Sequence, residues 1–280
     1  MPAPTLKKLM LLAALITLGM LALWLILDAT LTASVWSPMK VSQSAIMVEY
    51  CEYNHPQRFF HQPVNTYSNL VYFFCGILIL LIARYDSFSG STTPFNRLAG
   101  FPLLSSLMGG CFVYLGFGSA FFHASLTYVG QRVDMNATYS ILLTLVGITV
   151  YHLADRIRLN RRQQGLWVFS LLAVIGGFIP LALRIPSSLL VPALILLLNA
   201  GMLIHYFQFR KQRSIGVILL SLVLVVLALY IRTLDVRKIG CDPYSYFQGH
   251  ALWHLLTAVS SFCSYCFFRF EKTGRFALST

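Results

Sequence analysis

Charge is what this sequence has least of. Only 11% of its 280 residues are Asp, Glu, Lys or Arg, and just 9 are acidic, against 57% hydrophobic. So little polar surface cannot coat a water-soluble globule of this size, which leaves an integral membrane protein. The period-two alternation of a transmembrane barrel is also missing, so helices are the expected spanning elements. No repeat of roughly 20 to 50 residues, low-complexity tract or linker is visible, which excludes solenoids and multi-domain strings. The shortage of acid leaves a net charge of +12. The 21 Lys and Arg are nevertheless spread over loops rather than gathered in one basic patch, so no nucleic-acid partner is expected.

What is present is a series of apolar runs of about 17 to 25 residues, the length a helix needs to cross roughly 30 Å of hydrocarbon. The runs are Leu9 to Leu27, Asn65 to Ala83, Ala99 to Phe122, Met135 to Leu153, Leu166 to Leu183, Leu189 to Phe207, Ile215 to Ile231 and Gly249 to Phe268. They predict an all-α membrane protein, a seven-transmembrane-helix bundle with an additional N-terminal hydrophobic helix. Residues 1-35 read as a signal-anchor or signal-peptide-like segment and residues 36-280 as the seven-helix domain. With an inside N-terminus, fourteen of the 21 Lys and Arg fall on the inner side, including Lys272 and Arg275 near the C-terminus. That bias places both termini in the cytoplasm.

Following the same alternation, every unusual polar residue falls at one membrane face. His250 and His254 are four apart, so a helix carries them on one side at the spacing that lets two imidazoles share a zinc ion. Ser119 and His123 repeat that relation on the third run, and Asp134 opens the fourth. His123 would complete a three-histidine set with an open fourth position, as expected of catalytic rather than structural zinc. Ionisable residues buried in a membrane are costly enough that such a cluster marks a functional site. His55 and His61 fall in an outer loop. His152 and His205 read as interfacial histidines on the other face, and Asp155 and Asp235 as solvated charges at helix ends. An intramembrane protease of the His-Glu-x-x-His type is excluded, because Ala251 follows the first histidine. No pair of broken helices of the transporter kind is visible.

Four blocks, "EYCEYN" with "NTYSNL" after it, "GFGSAFFHASL", "QRVDMNATY" and "CDPYSYFQGHALWHLLTAVSSF", resemble the alkaline ceramidases in order and spacing over Glu49 to Phe268. That family belongs to a wider group of seven-helix membrane hydrolases and receptors. The resemblance implies zinc held by His123, His250 and His254, with Ser119 polarising the substrate carbonyl and Asp134 handling the proton. It implies a lipid amidase that converts ceramide-type lipids to a fatty acid and a sphingoid base, with the site on the extracytoplasmic side. A lipid ester hydrolase and a receptor with a non-catalytic zinc site are the alternatives within the same group. The resemblance also implies a calcium site at Glu49, Tyr50, Glu52, Asn54 and Gln62. The family has Asp and Trp where this chain has Glu49 and Tyr50, and an acid where it has Gln62, so weaker calcium binding is expected. Cys51 and Cys241 lie in outer loops beside the site and are expected to form a disulfide in an oxidising compartment. Cys75, Cys111, Cys263 and Cys266 read as small apolar packing residues.

Overall fold

A computed structural model describes residues 1–89, 96–181 and 184–271. The expected end of the fifth apolar run at Leu183, and the inner-side Lys272 and Arg275, lie outside the described residues. The described chain is helical, with isolated β-bridges at Thr32 to Arg58 and Val41 to Thr127 as its extended pairings. A helix satisfies its own backbone groups in lipid, and these apolar sequences have nowhere else to turn for partners.

The first helix, α1 (Ala3–Thr30), is followed by a single 3-10 turn at Ala33–Trp36 and by the short α2 (Gln43–Ile46). Next comes α3 (Pro63–Ser68), which breaks at Asn69 and continues as α4 (Leu70–Ser89). Then follow α5 (Pro102–Ser125), α6 (Tyr128–Leu153), α7 (Arg161–Gly177), α8 (Ser187–Gln208), α9 (Ile215–Val236) and α10 (Gly249–Arg269). Among the described residues, seven helices, α1 included, are long and apolar enough to cross a membrane. The expected run from Leu166 is instead α7, which ends after 17 residues at Gly177. It starts earlier than hydropathy suggests because Asn160 and Gln163 form a capping box at its N-terminus.

Close helix contact sets where the site can form. A Cβ on Gly76 of α4 would lie 2.8 Å from the Val113 backbone nitrogen and 2.9 Å from the Gly109 carbonyl on α5. These two glycines let the helices approach backbone to backbone, the usual role of small residues between membrane helices. α9 and α10 are joined by hydroxyls, with Ser221 Oγ 2.9 Å from Ser264 Oγ and 3.0 Å from the Ser260 carbonyl. At the far end, the buried Arg269 guanidinium donates to both oxygens of the buried Asp86, at 2.8 and 2.5 Å, tying α10 to α4.

The turn between α5 and α6 decides which residues share a face. Leu126 adopts a left-handed conformation (φ 51°) and ends α5. Thr127 then caps α6 by accepting from the Gly130 backbone N–H at 3.1 Å. A reversal this tight returns the chain antiparallel to itself, so Ser119 on α5 and Asp134 in the first turns of α6 are brought side by side, one helical turn from His123. The segment before α3 folds over that end: Ser42 N donates to Leu126 O at 2.9 Å and Gln62 N to His123 O at 3.0 Å.

Candidate metal centre and its cavity

His123, His250 and His254 are buried, and one ring nitrogen of each lies within 4.8 Å of the others. Two elements supply them. The last turn of α5 carries His123, and the first two turns of α10 carry His250 and His254 one turn apart.

The tautomers of two rings follow from their partners. Gln62 Oε1 can only accept, so His123 Nδ1, 2.7 Å away, donates to it and leaves the buried Nε2, which has no partner, with its lone pair free. Ser68 Oγ spends its hydrogen on the Asn65 carbonyl at 2.8 Å, so it must accept from His254 Nδ1 at 2.7 Å. His254 Nε2 is therefore also a bare acceptor. His250 is fixed from the backbone: Asp235 on α9 accepts from its N–H at 3.2 Å and from Cys51 N at 3.2 Å. The His250 Nδ1 atom is buried and without a hydrogen-bond partner. Converging imidazole nitrogens, those of His123 and His254 bare and oriented from the far side of the ring, are what a transition-metal site requires.

Asp235 corrects the sequence reading. It is 5% exposed and joins three segments, so it is not a solvated helix-end charge. Hydropathy treats a helix-end aspartate alike whether water or the loop before α3 covers it. His152 and His205, expected at an interface, are likewise fully enclosed, whereas Asp155 is exposed as expected.

Ser119 Oγ lies 3.5 Å from His254 Nε2 and Asp134 stands beside it, both on the wall of a cavity of about 290 Å³ that His250 and His254 also line. Tyr72, Leu115, Val191 and Trp253 continue that wall. They also line a smaller, mostly apolar extension of about 60 Å³, edged by the Ser221, Ser260 and Ser264 hydroxyls, that runs between the helices toward Ile141, Leu198 and Val225. The cavity is thus polar at one end and greasy beyond, the shape of a site for a molecule with one reactive polar group and aliphatic chains.

Of the residues expected at a calcium site, Glu52, Asn54 and Gln62 share one hydrogen-bonded cluster. Glu52 accepts from the N–H groups of Val64 and Asn65 at 2.7 and 2.8 Å, capping α3, while Gln62 Nε2 donates to Asn54 Oδ1 at 2.6 Å. The other two turn elsewhere. The Glu49 carboxylate is held by the Ser44 hydroxyl and by Arg232, and the Tyr50 ring lies 3.9 Å from the His250 ring. Burial pushes the Glu52 carboxyl up to about 7. Cys51 and Cys241 are bonded across a sequence separation of 190, which pins the loop carrying Glu49 to Asn54 beside the start of α10.

Sequence reasoning missed Ser68 and the link from Gln62 to His123. Both stand in the "HQPVNTYSN" stretch (His61 to Asn69), whose density of polar residues at the mouth of an apolar run was the available signal. Replacing Gln62 with alanine is expected to weaken metal binding by about 10 to 100 fold without unfolding the protein. Competition with a chromogenic chelator measures this, and unchanged affinity would mean that Gln62 does not set the His123 tautomer.

In comparison with known proteins, a family model described as Ceramidase matches residues 42–275. No curated protein matches the chain.

Proposed function

The chain belongs to the ceramidase family, and from that premise we propose that it is a zinc-dependent amidase of the membrane, cleaving ceramide-type lipids to a fatty acid and a sphingoid base. The observation that carries the reading is the convergence of three buried histidines, two of which, His250 and His254, line the polar end of a cavity that continues between the helices. The donor set fits zinc: three imidazole nitrogens, two with lone pairs directed by acceptors behind them, and room in the cavity for a fourth ligand. Bound at His123, His250 and His254, zinc supplies Lewis acidity toward the amide carbonyl and lowers the pKa of water.

The protein's own residues do the rest. The aliphatic chains lie against Leu115, Val191 and Trp253, which excludes water from all but the polar end. The Ser119 hydroxyl donates toward the carbonyl oxygen as negative charge develops there. The Asp134 carboxylate takes the proton of the attacking water and returns it to the nitrogen as the carbon–nitrogen bond breaks. A new carbon–oxygen bond and one transferred proton complete the hydrolysis.

The extracytoplasmic position of this centre rests on the bias of Lys and Arg toward the opposite side, and the Cys51–Cys241 bond accords with it, since such compartments are oxidising. The reading of residues 1–35 as a retained anchor draws support from the packing of Ala13 on Leu78 and Ile82, and of Trp24 on Phe60.

The test is fatty acid release, measured by mass spectrometry, from a panel of N-acyl lipids that includes ceramides, with detergent-purified protein and with the same protein after zinc chelation. Release from a ceramide that stops on chelation and returns with zinc is expected. Release that persists in metal-free protein would refute the zinc dependence, and release only from esters would replace the amidase with an esterase.

Calcium is a second, separable part of the proposal. Glu52 is a buried carboxylate with no ion pair among the described residues, and the neighbouring Asn65 Oδ1 is buried without a partner, so a hard cation at that cluster would satisfy both. Glu49 joins it only by leaving Ser44 and Arg232, which keeps the expected affinity modest. Calcium is therefore expected to raise the melting temperature by a few degrees, and Glu52→Ala to abolish the rise while leaving zinc content unchanged. An equal calcium response in the variant would leave that cluster without an ion.

A further inference from the structure

A second polar cavity, of about 150 Å³ and open to the surface at Asp155 and Arg158, sits at the other end of the helix bundle. His152, one of its lining residues, follows Asp134 by eighteen positions on α6, about 27 Å along the axis at about 1.5 Å per residue. Neither the histidine centre nor the lipid cavity reaches it. Its walls carry Arg97, His152, Asp155, Arg158, His205 and Arg213, three guanidinium groups against one carboxylate, drawn from four separate segments of the chain.

The hydrogen-bond chemistry of the cavity is unfinished. Arg97 gives its two terminal nitrogens to the Ala154 and Ile157 carbonyls, at 2.9 and 2.6 Å, and its buried Nε has no partner. Arg213 donates through Nε to His205 Nε2 at 3.3 Å, and through Nη1 to the Phe267 and Phe268 carbonyls. A guanidinium cannot accept, so His205 Nε2 is the acceptor and the hydrogen of that ring is on Nδ1. Gln208 lies near the ring, but nothing meets His205 Nδ1 in hydrogen-bond geometry. His152 runs the other way: Nδ1 donates to the Ile148 carbonyl at 2.8 Å, which leaves Nε2 as a buried acceptor without a donor. The cavity therefore combines two unused donors and the charges of Arg97 and Arg158, Arg213 having Glu271 nearby, with one unused acceptor and the Asp155 carboxylate. Buried polar groups left unpaired cost free energy, so the arrangement is that of a site built for an occupant.

Water would complete the hydrogen bonds but not offset the charge, and the space is about five times the roughly 30 Å³ share of one water molecule. A metal cation is disfavoured by the three arginines. A fully ionised anion would meet the guanidinium groups but clash with His152 Nε2 and Asp155. An oxyanion that also carries a hydroxyl satisfies every group, and a phosphate monoester, whose second ionisation lies near pH 6, is such a species. A phosphodiester has no P–OH to give.

We propose that this cavity binds a protonated phosphate monoester group, its charged oxygens facing Arg97, Arg158 and His205 and its P–OH facing His152. The group can come from a lipid headgroup or from free phosphate, because the cavity lies where helix ends meet headgroups.

The test uses the full chain in detergent. Native mass spectrometry counts retained phosphatidic acid against phosphatidylglycerol, a diester of the same net charge class, and calorimetry measures inorganic phosphate. Two variants are compared: Arg158→Gln, at an exposed residue whose loss the fold tolerates, and His205→Ala, each checked by its melting temperature without ligand. A charge-assisted hydrogen bond lost at either position is expected to weaken binding by about tenfold or more. Retention of phosphatidic acid alone, weakened in both variants, identifies a lipid source; binding of inorganic phosphate with the same losses identifies a free one. No binding of either, equal retention of phosphatidylglycerol, or affinity unchanged in Arg158→Gln overturns the proposal even if His205→Ala does not fold.

Discussion

Replacing His250 or His254 with alanine is expected to remove the metal and lower ceramide cleavage at least about a thousandfold, the equivalent of about 4 kcal/mol of transition-state stabilisation. The size of the effect follows from the geometry. The three imidazoles leave no fourth protein nitrogen in reserve: among the described residues they are the single His, Cys, Asp and Glu group close enough to share an ion. Two nitrogens cannot complete the set that holds zinc with an open position. His254→Ala also strands Ser68, whose hydroxyl would lose the donor at 2.7 Å, so this variant should lose slightly more stability than His250→Ala. Elemental analysis of the purified variants, read beside fatty acid release, separates the outcomes. Loss of zinc with loss of turnover is the expected pair. Wild-type turnover in either variant sinks the three-histidine assignment, and retained zinc with no turnover would move His250 or His254 from metal ligand to direct participant.

How much of this was legible in the sequence depends on the range of the interaction concerned. Spans were readable because hydrocarbon imposes length and composition locally, and His250 and His254 because helical spacing puts them on one side. Even the meeting of His123 with the α10 pair could be reached by counting helix reversals, a count that includes the short α7 as one of them. Less legible was anything fixed by a distant partner. The buried Asp86–Arg269 pair spans 183 residues, and Asp235 reaches back 184 residues to the Cys51 backbone. In the sequence each looks like a charge at a helix end, where hydropathy expects water. The end of α7 was misplaced for a different reason: the helix ends at Gly177, just before Pro180, inside a stretch that remains apolar beyond it, and hydropathy does not register a helix end that leaves the composition apolar. The loop before α3 was read by motif alone, and motif could not tell which of its oxygens serve His123 and which cap a helix.

Asp134→Asn is expected to keep the metal, the fold and most of the substrate affinity while lowering kcat by about 100 to 10,000 fold, the usual worth of a positioned proton acceptor. The replacement is nearly isosteric, and Asp134 is not among the converging metal-ligating nitrogens, so nothing in the centre needs to move. What it removes is basicity. The amide of asparagine cannot take a proton from water, yet it still fills the wall of the cavity beside Ser119. Ser119→Ala offers the contrast. It deletes a donor toward the carbonyl oxygen without touching the proton path, and it should cost about 100 to 1,000 fold in kcat with zinc retained. The two losses differ in their response to the leaving group. An N-acyl lipid with a more acidic amine needs less help as its nitrogen departs, so activity of Asp134→Asn should recover on it, whereas Ser119→Ala should remain equally impaired. Steady-state kinetics on a short series of such amides measures both. Equal impairment across the series in both variants would show that Asp134 does not deliver the proton to the amine, and would confine its part to the attack of water.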